Sequence, residues 1–246
     1  MENHINVALF GLLSGITGTG LGGLIGIALG KISSRFLCFI LEFSAGLMTA
    51  VVCFKLIPEA FALGGELPCF AGMFWGILII ILVEQILSKA SINKNRQGHS
   101  GLLKTGILMC IGIALHNFPE GFAVGSGFEA SMGLGIAITA VIVIHDIPEG
   151  IAMALPMKHG GMSRLKAFCY TLLSGVPMGL GALLGSVIGS ISDKLISFCL
   201  GFAAGAMLYI VFAELIPESK KLYLGRLSSI GSVLGIICGI IVSIYN

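Results

Sequence analysis

Eight long apolar runs constrain the fold of this chain more than any other feature of its sequence. They cover about residues 5–30, 36–61, 66–88, 104–128, 132–157, 163–189, 195–220 and 223–244. A helix that crosses a bilayer needs about 20 mostly apolar residues, and each run is long enough. Only 11% of the 246 residues are charged, whereas a soluble domain carries about 25%. The pattern therefore predicts an all-α integral membrane protein, an eight-span helical bundle.

Two near copies of one hexapeptide lie in the fourth and fifth runs. The first reads HNFPEG at 116–121, and the second reads HDIPEG at 145–150. Within each copy the His and the Glu are four residues apart, so on a helix both side chains project from one face. Imidazole nitrogen and carboxylate oxygen are ligands that zinc and ferrous iron prefer. Two such helices side by side could enclose a divalent cation.

Each motif also holds a second oxygen ligand and a proline. Asn117 and Asp146 lie three residues before the Glu of their motif, and Pro119 and Pro148 lie one residue before it. Because proline has no N–H to donate, we expect each helix to bend at its motif. An alternative is a pair of kinked helices whose His and Glu only hydrogen-bond each other. Ionisable groups inside a membrane span are costly and usually functional, which favours a metal site.

The basic residues predict how the chain is oriented. Of its 14 Lys and Arg, twelve lie in or beside odd-numbered connections between spans: Lys31, Arg35, Lys89, Lys94, Arg96, Lys104, Lys158, Arg164, Lys166, Lys220, Lys221 and Arg226. Because cytoplasmic connections carry the excess of Lys and Arg, we expect a cell-membrane protein with both termini outside. The longest connection, about 89–103 with His99, is then a flexible cytoplasmic loop. The seven scattered cysteines form no C-x-x-C pair and predict neither disulfides nor a thiolate metal site.

The chain also repeats itself at an offset of 159 or 160 residues. The matching segments are LLSG at 12–15 and 172–175, GLG at 20–22 and 179–181, AGLM at 45–48 with AGAM at 204–207, and LIPE at 56–59 and 215–218. We therefore expect one transporter domain, 1–246, in which repeat one (about 5–88) and repeat two (about 163–244) flank the motif helices (about 104–157). Spans two and seven run in opposite directions across the membrane. The three spans on each side of the two motif helices therefore form an inverted repeat, written 3+2+3, which is typical of secondary transporters. The Gly-rich spans one and six are expected to make the tightest contacts.

Five further charged residues lie within the runs or near their ends. Lys55 needs a partner inside a span, and Glu59 is the nearest candidate. Glu59 and Glu218 follow prolines near helix ends, where they either cap the helix or attract cations along a path. Glu214, one turn before Glu218, favours an exit path slightly. Glu42 is expected at the membrane interface.

The paired motifs, the eight spans and the repeat resemble the ZIP family of divalent metal transporters over essentially the whole chain, most closely the prokaryotic type. The metal ligands that this resemblance implies are His116, Asn117, Glu120, His145, Asp146, Glu149 and Met48. By the same resemblance, one site uses the two His and the two Glu, with Met48 approaching it. A second site uses Asn117 and Asp146 and shares the two Glu. Many relatives carry a glutamate where span six has Met178, so this chain is expected to bind the second metal weakly.

The resulting hypothesis is transport of a divalent transition metal into the cytoplasm, with zinc first and iron, manganese, cobalt or cadmium also open. The metal is the transported substrate, and no prosthetic group is expected. The other partner is the lipid bilayer; a homodimer stays open, and no nucleic acid is expected. One alternative is an intramembrane metal-dependent enzyme, but H-E-x-x-H, the motif of such a protease, is absent. The other is a metal exporter or sensor of the same fold.

Overall fold

The computed structural model describes residues 2–29, 33–91, 100–130, 132–188 and 192–244, and these ranges form eight long helices without a strand. The helices are α1 (Glu2–Ala28), α2 (Ser34–Gly64), α3 (Glu66–Ser91), α4 (Ser100–Ala130), α5 (Met132–His159), α6 (Arg164–Ile188), α7 (Asp193–Leu222) and α8 (Arg226–Ile244). Eight helices are long and apolar enough to cross a membrane. This confirms the all-α class and the eight predicted spans, with boundaries that differ by a few residues.

The predicted loop at 89–103 is shorter than expected. Helix α3 continues to Ser91 and α4 begins at Ser100. Residues 92–99, with His99, lie outside the described residues.

Local sequence signals set several helix ends. The hydroxyls of Ser33 and Ser192 accept backbone N–H groups in the first turns of α2 and α7, which satisfies donors that have no partner within the helix. Gly65 ends α2 with φ of 86°, and Gly161 follows α5 with φ of 96°. Only glycine adopts this left-handed conformation without a Cβ penalty.

Two helices each contain one π-helical turn, at Val52–Leu56 in α2 and at Val211–Leu215 in α7. Each turn ends two residues before a proline, Pro58 or Pro217. Because proline donates no hydrogen bond and its ring crowds the carbonyl four residues earlier, the α-helical ladder is interrupted there, and a wider turn accommodates the change. The two turns are 159 residues apart, which matches the offset of the sequence repeat.

Helix contacts divide the bundle into two groups. Helices α1, α4, α5 and α6 pack mainly on one another and form the central group. In the flanking group, α8 packs along α2, α3 packs along α7, and α2 contacts α7. The groups meet where α4 lies against α7 and where α2 lies against α5.

Glycines allow the close crossing of α1 and α6 within the central group. A Cβ added to Gly15 would lie 2.5 Å from the carbonyl oxygen of Gly175. Any larger residue at this crossing would push the two backbones apart. The two Gly-rich runs thus pack closely, and the prediction that theirs are the tightest contacts of the bundle stays a prediction.

The carboxylate of Glu42 lies inside the protein among polar side chains. Its side chain is buried, with 1% exposed, and its expected position at the membrane interface stays a prediction. The carboxylate accepts hydrogen bonds from Ser219, Ser228 and Ser232, and Lys220 Nζ lies 3.1 Å from its Oε1. These partners belong to α7 and α8, so the contacts of Glu42 hold three helices of the flanking group together. A buried carboxylate is tolerated when it is hydrogen-bonded in this way.

Candidate metal centre

Helix α4 brings three of the predicted ligands into the interior of the bundle. His116 and Asn117 are fully buried, and Glu120 is buried one turn further on. His116 Nε2 lies 3.1 Å from Glu120 Oε1, as the four-residue spacing predicts for a helix. The helix runs without a break through Pro119. The motif therefore presents imidazole, amide and carboxylate groups from consecutive turns of one buried helix.

The amide of Asn117 is oriented by the neighbouring helix α6. Its Nδ2 donates a hydrogen bond of 2.8 Å to the carbonyl oxygen of Ser174. Its Oδ1 is buried and has no hydrogen-bond partner among the described residues. Buried amide oxygens normally accept a hydrogen bond. An oriented, buried oxygen of this kind suits a metal ligand.

Helix α5 supplies the second set of acidic groups. Asp146 and Glu149 are buried there. Asp146 lies close enough to Glu120, Glu149 and His116 to interact electrostatically with each of them. Since α4 and α5 pack side by side, ionisable groups from both motifs come together in one buried region.

Three acidic side chains, those of Glu120, Asp146 and Glu149, lie away from water in this region. Like charges repel strongly where the dielectric constant is low, and ionisable groups inside membrane spans are costly. A divalent cation between the motif helices would offset this charge. The combination of imidazole with carboxylate suits a transition metal better than magnesium or calcium, which prefer oxygen ligands alone.

The described side chains do not complete a coordination sphere by themselves. Among the side chains that the structure describes, no three His, Cys, Asp or Glu groups meet at a point that could hold a metal ion. The side chain of His145, a predicted ligand, lies outside the described residues, although the backbone of α5 is helical there. Met48 is buried in an apolar cluster with Met109 and Met153, which come from α4 and α5. The seven-residue ligand set therefore stays a prediction.

The glycine that ends each motif lies against the backbone of another helix. A Cβ on Gly121 would lie 2.0 Å from the carbonyl oxygen of Met178 in α6. A Cβ on Gly150 would lie 2.3 Å from the carbonyl oxygen of Thr19 in α1. Small residues permit such close approach of membrane helices. Each motif helix is thus packed closely against a Gly-rich helix of the central group.

Two residues beside the site were not assigned a role by sequence reasoning. Ser174 orients Asn117 through its backbone carbonyl. Gly18 makes room for Asp146, since a Cβ on Gly18 would lie 2.4 Å from the Asp146 Cβ. The signal in the sequence was the Gly-rich character of α1 and α6, which indicates close packing but not the partner.

Lys55 has a wider set of electrostatic partners than the sequence predicted. It lies on the π-helical turn of α2 and is partly buried. It interacts electrostatically with Glu59, as expected, and also with Glu120 of the first motif. Sequence spacing could not reveal the second partner because it belongs to a different helix. A positive side chain of the flanking group therefore lies within electrostatic reach of a predicted metal ligand.

Met178 occupies the place on α6 that faces the first motif helix. Its side chain is fully buried in a cluster with Val124 and Ile142. The Ser14 hydroxyl donates to its sulfur at 3.2 Å. No carboxylate is present at this position to add to the three in the site.

Eight helices of spanning length among the described residues, two of which bury His, Asn and acidic side chains, define a multi-pass helical membrane protein with a candidate cation site. The sequence model of the family described as ZIP zinc transporter matches residues 93–244, which is more than half of the chain. The chain belongs to the ZIP zinc transporter family.

Known relatives cover most of the chain, and two of them cover almost its whole length. Zinc transporter ZupT from Chlorobium limicola is 34% identical over 96% of this chain and 96% of its own length. ZupT from Clostridium perfringens is 32% identical over 96% of this chain and 94% of its own length. Zinc transporter GufA from Myxococcus xanthus is 34% identical over 70% of this chain and 68% of its own length. These relatives are named as transporters rather than as enzymes, and the resemblance found in the paired motifs is confirmed.

Proposed function

We propose that this protein carries zinc across the membrane into the cytoplasm through a site between α4 and α5. The principal ligands are His116, Glu120, His145 and Glu149, with Met48 approaching from α2. Iron, manganese, cobalt and cadmium are further candidate substrates, because the same ligand types bind them. The relatives named as zinc transporters support zinc as the first choice.

One observation carries this proposal: Asp146 is fully buried within electrostatic reach of Glu120, Glu149 and His116. Two helices thereby contribute acidic groups to the same interior region. A structural hydrogen-bond network would not require so much negative charge in a membrane protein. A transported divalent cation would bind these acidic groups and balance their charge.

The chemistry of transport follows from the ligand types. An incoming zinc ion exchanges its water ligands for imidazole nitrogens and carboxylate oxygens, and the carboxylates offset its charge. The ligands bind only in their deprotonated forms, so protons compete with the metal. We propose that the ion is released when the central group moves relative to the flanking group. The ligands on α4 and α5 would then face the other side of the membrane.

A second, weaker metal site is part of the proposal. It uses Asn117 and Asp146 and shares Glu120 and Glu149. Two dications close together repel each other, and an extra carboxylate usually offsets this repulsion. Here Asn117 is neutral and the α6 position is Met178. The main site is therefore proposed to work with one metal.

We also propose the outside orientation of both termini and the inverted 3+2+3 arrangement within one domain. The distribution of Lys and Arg supports the orientation. The two π-helical turns at the repeat offset support the duplication. Both proposals agree with a site between two antiparallel motif helices.

Zinc uptake into proteoliposomes tests the proposed function. Purified protein is reconstituted with a zinc-sensitive dye inside the vesicles, and uptake is compared with Glu120→Ala, Glu149→Ala and Glu129→Ala. Glu129 is a matched control because it lies on α4 but is exposed. We expect uptake by the wild type and Glu129→Ala, and near-complete loss in the other two variants. Competing cations added outside rank the other candidate substrates. Uptake by Glu149→Ala at the wild-type rate would contradict the proposed site.

A further inference from the structure

A polar network joins the central group to the flanking group near the start of α4. Lys104 Nζ lies 3.1 Å from Glu84 Oε1 of α3 and 3.2 Å from Glu214 Oε1 of α7. The Thr105 hydroxyl donates to Glu214 Oε2 at 3.3 Å. The Tyr209 hydroxyl donates to Glu84 Oε2 at 2.9 Å. One lysine of α4 is therefore held by two carboxylates from two flanking helices.

This network differs from an ordinary surface ion pair. Exposed ion pairs contribute little to stability because water and salt screen them. Here the side chain of Glu214 is only 13% exposed, whereas those of Glu84 and Lys104 are 27% and 36% exposed. The carboxylates of Glu84 and Glu214 also accept hydrogen bonds from the hydroxyls of Tyr209 and Thr105, respectively. Charge-assisted hydrogen bonds in such partly buried geometry are stronger than neutral ones.

A second contact packs the first turn of α4 against α7. A Cβ on Gly101 would lie 2.7 Å from Glu218 Oε1. Glu218 is buried and pairs with Lys221 at 2.8 Å. Further along α4, Gly112 lies against Ile210 of α7. The start of α4 is thus docked on α7 by both apolar and polar contacts.

The network lies across the boundary where movement is expected. Helix α4 carries His116, Asn117 and Glu120, whereas Glu84 and Glu214 belong to the flanking group. Glu214 lies on a π-helical turn, a feature found often at functional sites. Because Lys104 contacts both α3 and α7, a large movement of α4 relative to these helices breaks its contacts.

We propose that Lys104 is a positioning residue that latches the start of α4 to α3 and α7 in one conformation of the transport cycle. This Lys104 latch rests on the proposed function, because the ligands that it positions are those of the zinc site. While the latch is closed, α4 and its ligands keep a fixed position relative to the flanking group. Release of the latch permits the other conformation.

Thiol accessibility at Leu108 tests the latch directly. Leu108 lies one turn after Lys104 on the same face of α4 and is 2% exposed. In a background without native cysteines, purified Leu108→Cys protein is labelled with a water-soluble maleimide. We expect slow labelling with Lys104 in place and at least several-fold faster labelling in Lys104→Met, because the start of α4 separates from α7 more often.

Lys220→Met is the matched control. Lys220 also contacts a buried carboxylate, Glu42 Oε1 at 3.1 Å, but both residues belong to the flanking side. Its removal should leave labelling of Leu108→Cys unchanged. Equal labelling in Lys104→Met and its parent would overturn the latch, as would equal acceleration by both lysine variants.

Charge reversal separates a specific latch from general loosening of the fold. Lys104→Glu places three carboxylates together and should accelerate labelling. Combining it with Glu214→Lys restores a lysine between two carboxylates and should return labelling toward the parent rate. Absence of rescue would count against the latch. Zinc binding by the same samples should stay within a few-fold of the parent, whereas failure of the proposed function would appear as absent zinc uptake by the wild type.

Discussion

Single residues in the candidate centre differ in charge and in how they are held. Glu120, Asp146 and Glu149 bring negative charge from two helices into one buried region. Asn117 contributes only a neutral oxygen, oriented by the carbonyl of Ser174. Substitutions of the shared carboxylates Glu120 and Glu149 should therefore affect transport more than substitution of the amide, and removing a charge from a span should not prevent insertion.

We expect His116→Ala and Glu149→Ala to lose nearly all zinc uptake, and Asn117→Ala and Asp146→Ala to retain a measurable fraction. The first two residues bind the principal metal in the proposed site, whereas the other two serve the weaker site. Initial uptake rates in proteoliposomes, normalised to inserted protein, provide the measurement. Equal loss in all four variants would show that both sites are required.

Lys55→Gln should increase zinc affinity by a few-fold. The ammonium group lies within electrostatic reach of Glu120, and a positive charge near a ligand disfavours a bound dication. Calorimetric titration of purified protein measures the change, with the exposed Lys194→Gln as the control. Weaker zinc binding by Lys55→Gln would mean that Lys55 instead holds Glu120 in a binding orientation.

Met178→Glu should raise the occupancy of the second metal site. The side chain is buried on α6, whose backbone at this residue lies against Gly121 of the first motif. An added carboxylate would offset repulsion between two dications. The metal-to-protein stoichiometry of purified protein measures this occupancy. Met178→Gln is the control, because it has a side chain of the same size without the charge. Two equally tight metals in the wild type would show that another residue already replaces the missing acid.

At the scale of the helices, glycine determines which elements approach closely. Gly15 and Gly175 bring α1 and α6 together, and the final glycine of each motif seats a motif helix on one of them. Elsewhere in α5, Gly133 has open space around its Cβ position. Replacement of glycine by alanine should therefore change the stability of the protein in opposite directions at Gly150 and Gly133 of α5.

Gly150→Ala should destabilise the protein by about 1–3 kcal/mol, the usual cost of forcing extra atoms into a packed interior. Its Cβ would lie 2.3 Å from the carbonyl oxygen of Thr19. Gly133→Ala should be neutral or stabilising by up to about 1 kcal/mol, because alanine favours helix more than glycine does. Thermal unfolding in detergent compares the two. A Gly150→Ala protein as stable as the parent would mean that α1 and α5 can separate without loss.

At the scale of the whole molecule, two helix groups meet along α4 and α7 and along α2 and α5. The central group carries the two motifs, and the flanking group carries the π-helical turns with Lys55 and Glu214. Each of these charged residues interacts electrostatically with α4. The boundary between the groups is therefore where polar contacts and proposed movement coincide.

Both chain termini should be accessible from outside the cell. An even number of spans places them on one side, and the Lys and Arg at odd-numbered connections place that side outside. Single cysteines introduced at Glu2 and Asn246, in a background without native cysteines, are treated with an impermeant thiol reagent on intact cells. Reaction only after the membrane is opened would reverse the predicted topology.

The sequence by itself determined the features that depend on local spacing and length. Runs of about 20 apolar residues must become helices in a bilayer, because each backbone hydrogen bond has to be made within the span. The four-residue spacing within each motif placed His116 next to Glu120 before any packing was known. The paired motifs were also specific enough to indicate the family.

Only the tertiary structure decided which distant groups meet. Glu42 is buried, and serines and a lysine more than 170 positions away make its burial tolerable. In the same way Ser174 orients Asn117, and Glu214 reaches Lys104. Such pairs depend on how far helices slide and rotate against each other, which follows from side-chain packing over the whole bundle. Apolar periodicity leaves that choice open, since every buried face of a membrane helix is similarly apolar.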